Sequence, residues 1–378
     1  MFSRGYRGTT AKPSLLGFGC MRLPRVSEES QEIDFEKAER LIDEAYAAGV
    51  NYYDTAYVYH DGKSEGFLKR ALAKYPRESY FLADKMPSWH LKMPGDVERI
   101  FEEQLKRCGV DYFDFYLCHS ITAKSLETFE KFDVFTYLEH QKEKGRIRRL
   151  GFSFHDTPEV LEKVLSLRDW DFAQIQLNYI DWLAQDAKGQ YTLLQNAGIP
   201  VVVMEPVRGG ALATLCPEAA ACFKQAEPDK SLASWALRFE GSLPGVMTVL
   251  SGMNTLEQVR ENTALFTAFT PLSDEEQKTI EKAAELYKAH LTIPCTGCRY
   301  CMDCPSGVEI PKMFALYNDY TLSQREGVYL KAYEALPETQ RAASCVQCGR
   351  CAERCPQHIQ IPEKMQEIKA CIEKLQAD

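Results

Sequence analysis

Eight of the 14 cysteines fall in two short blocks near the C-terminus. The first reads Cys295-Thr-Gly-Cys298-Arg-Tyr-Cys301-Met-Asp-Cys304-Pro305, the second Cys345-Val-Gln-Cys348-Gly-Arg-Cys351-Ala-Glu-Arg-Cys355-Pro356. Cysteines at three-residue steps that close on Cys-Pro let a short turn wrap one corner of a compact iron-sulfur cluster. Paired C-x2-C knuckles also build four-cysteine zinc sites, but zinc needs only two cysteines per knuckle and leaves the third cysteine and the proline unexplained. Disulfides are the weakest reading for metal-spaced blocks in a chain with no sign of secretion. In two-cluster ferredoxins the fourth cysteine of each block ligates the other cluster. Cys295, Cys298, Cys301 and Cys355 would then form one set, and Cys345, Cys348, Cys351 and Cys304 the other. The first block departs from the usual spacing, with two residues between Cys301 and Cys304 where three are expected.

The rest of the chain must position any further chemistry, and at 378 residues it has room for one large barrel plus an appendage. A hydrophobic share of 45% is that of a globular protein, and a net charge of -9 without a basic run argues against nucleic acid as a partner. The opening Met-Phe-Ser-Arg-Gly-Tyr-Arg-Gly-Thr-Thr lacks an apolar core of signal-peptide length, and no later stretch reads as membrane-spanning. The expected location is the cytoplasm, with no membrane contact.

Apolar runs of strand length recur at 15–19, 51–54, 80–85, 113–119, 149–153, 173–178, 199–205 and 246–251, each followed by an amphipathic stretch of helix length. Gly49, Gly109, Gly145 and Gly198 stand where left-handed helix C-caps are expected. Eight strand-helix repeats are what a closed parallel barrel requires, although an open doubly wound sheet uses the same alternation. The expected organisation is a barrel over residues 1–270, a connecting helix over 271–290 that opens at Ser273-Asp-Glu-Glu, and a helical ferredoxin-like unit over 291–378.

Asp54, Lys85 and His119 fall at the C-terminal ends of predicted strands, where barrel enzymes keep their chemistry, and Tyr59 lies in the loop after Asp54. Singly, each has a plainer reading: a loop tyrosine usually packs, and an Asp-Lys pair is more often structural. Together they are more specific. Asp54-Thr-Ala-Tyr-Val-Tyr59 followed by Ser64-Glu65, Phe81-Leu-Ala-Asp-Lys85, Asp111-Tyr-Phe-Asp-Phe-Tyr-Leu-Cys-His119 and the opening Leu16-Gly-Phe-Gly-Cys-Met-Arg-Leu-Pro24 resemble the aldo/keto reductase family over roughly residues 13–265. The added cysteine blocks resemble its ferredoxin-fused subgroup. The resemblance implies an α/β fold, a (β/α)8 TIM barrel, with a catalytic tetrad of Asp54, Tyr59, Lys85 and His119. Carbonyl reduction delivers hydride to carbon and a proton to oxygen. Tyr59 would be the acid, Lys85 would stabilise its phenolate, Asp54 would hold Lys85, and His119 would position the carbonyl.

The same resemblance implies a nicotinamide nucleotide, NADP by family habit or else NAD. Gly151-Phe-Ser-Phe-His155 carries over Ser153 as a contact to the nicotinamide amide, although Phe154 stands where many members have Asn. Gln174 matches the other amide contact; Gln176 and Asn178 on the same strand face could instead fill the barrel. Met204-Glu-Pro-Val-Arg-Gly-Gly-Ala-Leu212 resembles the loop over the pyrophosphate, where Gly209 and Gly210 would let backbone N–H groups approach. The segment from Ser251 and Gly252 to Glu261 and Asn262 resembles the part that holds the adenosine end. Gln258 stands where NADP-preferring members carry Arg, and Gly252 where a basic residue is frequent; Arg260 is a candidate substitute.

These readings make the chain an oxidoreductase, an NAD(P)-linked carbonyl reductase or alcohol dehydrogenase with two 4Fe-4S clusters. The clusters would relay electrons, close the substrate pocket or sense oxidants. A hydride donor gives two electrons and each cluster takes one, so direct exchange needs a mediator such as a flavin, and an outside ferredoxin or flavodoxin is a candidate partner. The rival from another class is an electron-transfer or redox-sensing protein whose barrel binds a ligand or flavin without reducing a carbonyl. The six remaining cysteines read as small buried filler.

Overall fold

Strands covered by helices on their outer side and packed against one another on the inner side carry near-continuous apolar runs, as the predicted strands here do. In the computed structural model, which describes residues 1–5, 12–27, 30–184, 186–289 and 292–377, they form eight parallel strands closed into a barrel in chain order. These are β1 (Leu16–Gly19), β2 (Tyr52–Asp54), β3 (Phe81–Pro87), β4 (Phe113–Ile121), β5 (Ile147–Phe154), β6 (Phe172–Gln176), β7 (Val201–Met204) and β8 (Val246–Ser251). The pairing of Phe18 with both Tyr53 and Ser251 closes the ring and excludes the open sheet.

Around the strands run α1 (Phe35–Ala47), α2 (Ser64–Leu72), α3 (Asp96–Cys108), α4 (Ala123–Lys131), α5 (Val134–Glu143), α6 (Pro158–Ser166), α7 (Asp181–Ala184) and α8 (Ala187–Asn196). Gly49, Gly109, Gly145 and Gly198 all have positive φ, as the expected C-caps require. The charged stretch after β4 forms two helices because Asp133, at φ 50°, breaks it between α4 and α5.

Side-chain alternation explains how the barrel presents its chemistry. Tyr52, Ala83, Leu117, Phe172 and Val202 belong to the apolar plug inside the barrel. One inward position further along the same strands stand Asp54, Lys85, His119, Gln174 and Met204. Ser153 follows Gly151 in the same way. An added Cβ at Gly151 would lie 2.5 Å from Phe172 O, so glycine is required where β5 meets the Phe172 ring.

The chain divides into two compact units, one of Met1–Val207 and Ser234–Asp274, the other of Arg208–Ala233 and Glu275–Asp378. In the structure the stretch after β7, with α9 (Pro217–Ala226), belongs to the second unit, where Arg208 Nη2 donates to Pro294 O at 3.3 Å. The chain then returns to the barrel through α10 (Leu232–Ser242), β8 and α11 (Leu256–Thr267).

The second unit also contains α12 (Asp274–Lys288) from its second residue on, α13 (Ile310–Ser323), α14 (Glu326–Glu334) and α15 (Ile361–Ala377). Its small core includes Ile293, Met313, Phe314, Tyr329, Met365 and Ile368. The expected boundary at His290 and residues 6–11 of the opening stretch lie outside the described residues. Among the described residues no helix is long and apolar enough to cross a membrane.

Candidate active site and cysteine sites

Lys85 is fully buried and uses all three ammonium donors. Its Nζ donates to Asp54 Oδ1 at 2.7 Å, to Thr55 O at 2.6 Å and to Tyr59 Oη at 3.5 Å. The acceptors come from the end of β2 and the turn after it. That turn is fixed by Thr55 N–H donating to Ala83 O at 2.9 Å and by Thr55 Oγ1 donating to Ser64 Oγ at 2.8 Å. The Tyr59 and His119 rings stand edge to face with centroids 6.3 Å apart. The four residues predicted from sequence are thus brought together.

Burial pushes the Asp54 carboxyl above its usual range, while Lys85 pulls it back through charge and hydrogen bond. We read the pair as ionised, because Lys85 Nζ sits at ion-pair distance and has further oxygen partners. Burial holds the His119 imidazole well below its usual pKa, with Lys85 and His155 adding to the effect, so it is neutral at pH 7. A neutral imidazole can donate one hydrogen bond without bringing a second charge beside Lys85.

Ser153 Oγ accepts from Ser120 N–H at 2.7 Å. Gln174 Nε2 donates to Met204 Sδ at 3.6 Å, and Gln174 Oε1 is buried without a hydrogen-bond partner. Gln176 and Asn178 both donate to Asp181 Oδ2, at 2.8 and 2.7 Å. Asn178 lies beyond the end of β6 and ties down α7, so it is a loop anchor and not barrel filling. At the end of β8, Ser251 Oγ accepts from Asn262 Nδ2 at 3.1 Å, and Gln258 Oε1 accepts from Asn254 N–H at 2.8 Å. Glu261 is exposed on α11. Arg260 turns away to pair with Glu44 of α1 at 2.7 Å. Gly209 and Gly210 have positive φ and belong to the second unit.

The eight block cysteines surround two cavities. One is lined by Cys304, Cys345, Cys348 and Cys351; the other by Cys295, Cys298, Cys301 and Cys355. Each set takes three cysteines from one block and one from the other, despite the short Cys301-x2-Cys304 step. Apolar side chains complete the walls, and Ile361 lines both cavities. Gly297 N–H points to Cys295 Sγ at 3.4 Å, a donor suited to a thiolate.

A single tetrahedral zinc with Zn–S about 2.3 Å would draw its thiolates to about 3.8 Å from one another. Among the described residues, the only group of three ligating side chains whose donor atoms all lie within 4.8 Å of one another is Glu65, Asp84 and Cys108. Neither cysteine set is that tight. The donor chemistry, two sets of four thiols, fits a cluster. The Glu65 group sits behind Lys85, and Arg107 occupies Glu65 Oε2 at 3.0 Å, which makes it part of a buried ion-pair network.

The sequence matches the aldo/keto reductase family over residues 15–285, and a 4Fe-4S dicluster domain over residues 294–359. The chain belongs to the aldo/keto reductase family. L-galactose dehydrogenase of Arabidopsis thaliana is 26% identical over 75% of this chain and 93% of its own length. NADH-specific methylglyoxal reductase of Escherichia coli is 24% identical over 72% of this chain and 95% of its own. The aldo-keto reductase AKR11C1 of Bacillus halodurans, in its holo form, superposes with a TM-score of 0.59 at 27% identity, covering 75% of this chain and 96% of that one. The chain is therefore an oxidoreductase of this family with an added 4Fe-4S domain.

In this aldo/keto reductase two residues near the tetrad and the strand ends escaped the sequence reading. The Trp89 ring, 39% exposed, lies 4.9 Å from the His119 ring. It sits on a short 3-10 turn, Ser88–His90, directly after β3. Arg22, in the turn after β1, lies over Gly252. A tryptophan four residues after the lysine was a usable signal for the first; only the fold places the second.

Proposed function

We propose that this oxidoreductase reduces a small aldehyde or ketone with NADPH or NADH, or runs the reverse oxidation. We also propose that its C-terminal unit holds two 4Fe-4S clusters. The observation that carries the first part is the closed network of Lys85 with Asp54, Thr55 O and Tyr59 Oη.

The nicotinamide, when bound, supplies the hydride and with it the two electrons that the carbonyl carbon accepts. The Tyr59 hydroxyl gives its proton to the developing alkoxide, forming the alcohol, and regains a proton from solvent. A free phenol with a pKa near 10 is a reluctant acid at neutral pH, and the Lys85 ammonium stabilises the phenolate that this transfer leaves. Asp54 keeps Lys85 charged and aimed. Neutral His119 donates a hydrogen bond to the carbonyl oxygen, and the exposed Trp89 face beside it walls the substrate space. Ser153 and Gln174 hold the carboxamide, Met204 lines the same strand end, and Ser251, Asn262 and Glu261 take the adenosine side.

Cys295, Cys298, Cys301 and Cys355 would hold one cluster, and Cys304, Cys345, Cys348 and Cys351 the other. Hydride chemistry in the barrel requires neither. One observation supports an electron-transfer role beside it: Cys348 and Val346 are exposed, which gives a one-electron carrier such as a ferredoxin or flavodoxin access to the second set.

Anaerobically purified protein mixed with NADPH or NADH and a panel of carbonyls tests the reading. Nucleotide oxidation matched by alcohol formation, lost in Tyr59→Phe while nucleotide affinity is kept, is the expected result. Absence of binding by either nucleotide, or undiminished turnover by Tyr59→Phe, would show the hydride reading to be wrong.

A further inference from the structure

A dinucleotide brings two to four negative charges to the rim of a barrel, and a cation must meet them there. The segment after β8 is an unpromising source. Between Ser251 and Thr267 its one cationic residue is Arg260, and Arg260 is paired with Glu44 at 2.7 Å on the outer surface. Gln258, the neighbouring long side chain, is tied back to Asn254 N–H at 2.8 Å.

A cation reaches this rim from a different strand. Arg22 follows β1, which pairs with β8 through Phe18 and Ser251. Its stem crosses Gly252: a Cβ on that glycine would lie 3.2 Å from Arg22 Cδ, 3.3 Å from Cβ and 3.4 Å from Cγ. Gly252 has no positive φ to explain its presence, so its use here is the close approach of this arginine. The guanidinium then ends 4.0 Å from Glu205 Oε1, just past the end of β7, with its side chain 34% exposed. It is therefore anchored along its stem, aimed across the ends of β1, β7 and β8, and reachable from solvent.

We propose that Arg22 is the phosphate-binding cation of the nucleotide site, supplied by the loop after β1 in place of a basic residue after β8. The inference rests on the nicotinamide reading given above. Glu205 orients the guanidinium, and Gly252 makes room for it. The phosphate it meets is either the bridging pyrophosphate, common to both nucleotides, or the 2′-phosphate that only NADPH carries.

The test is the dissociation constant of NADPH and of NADH for the anaerobically prepared full-length protein, measured by tryptophan fluorescence and calorimetry. Wild type, Arg22→Gln, Arg22→Lys and Glu205→Gln are compared. Loss of a charge-assisted hydrogen bond predicts roughly ten- to a hundredfold weaker binding by Arg22→Gln, with part of it restored in Arg22→Lys. Equal weakening of both nucleotides assigns the pyrophosphate, and weakening of NADPH alone assigns the 2′-phosphate. Unchanged affinity in Arg22→Gln overturns the proposal. So does an equal loss in Glu205→Gln, because Arg22 and Glu205 would then act only as a clasp between loops. A wild-type protein that binds neither nucleotide would instead sink the underlying nicotinamide reading.

Discussion

The barrel and the cysteine unit solve the problem of buried polar groups in opposite ways. In the barrel, each of the three Lys85 donors meets one of the protein's own oxygens. In the cysteine unit, eight thiols are gathered as two sets of four, each around its own small pocket. The first is a site built before any ligand arrives. The second would be completed by the two proposed clusters, which would act as staples for a small core. The two regions should therefore respond differently to the same perturbations.

The largest expected difference is kinetic. Tyr59→Phe removes the proton donor and leaves the ring, and turnover should fall about 10²- to 10⁴-fold, while iron and sulfide content stays at the wild-type level. A comparable fall in iron content would mean that the two regions are not separable in this way. Next in size is removal of iron by an anaerobic chelator. Circular dichroism and limited proteolysis should then report loss of ordered helix between residues 292 and 377 and an intact barrel; joint unfolding of both would break the contrast.

Lys85→Met leaves Asp54 buried without its counter-charge and should cost about 3–5 kcal/mol of barrel stability. Denaturant titration measures this. The smallest effect concerns pH. An unfolded His119 takes a proton near pH 6.5, whereas the folded imidazole resists it until much lower pH. Barrel stability should thus decline as pH falls below about 6.5, with His119 contributing a slope of about 1.4 kcal/mol per pH unit. His119→Gln should flatten the curve by that amount, and an unaltered slope would show that His119 titrates normally in the fold.

Most of the barrel was legible because its information is local and periodic. Strand-length apolar runs, the amphipathic stretches between them and glycine caps are properties of neighbouring residues. Asp54, Lys85 and His119 could be found because each ends a predicted strand and, with Tyr59, stands in motifs that resemble the family. The cysteine grouping was taken from the two-cluster ferredoxin pattern, in which the fourth cysteine crosses to the other set, and the pocket linings group the thiols in the same way.

What escaped depended on contacts between distant segments. Nothing near residue 22 says that its side chain will cross Gly252, and nothing near Arg260 says that it will turn to Glu44 on α1. Asn178, for which barrel filling is one of two sequence readings, lies outside the barrel because β6 stops at Gln176, two residues short of the predicted run.

The central claim is that the barrel transfers hydride directly, without passing its electrons through iron. NADPH or NADH deuterated at the transferred position of the nicotinamide C4 tests this in a single turnover under anaerobic conditions. Mass spectrometry of the alcohol should find one deuterium on the carbinol carbon for each nucleotide oxidised. Alcohol formed without the label, its deuterium lost to solvent through a flavin or the clusters, would contradict it.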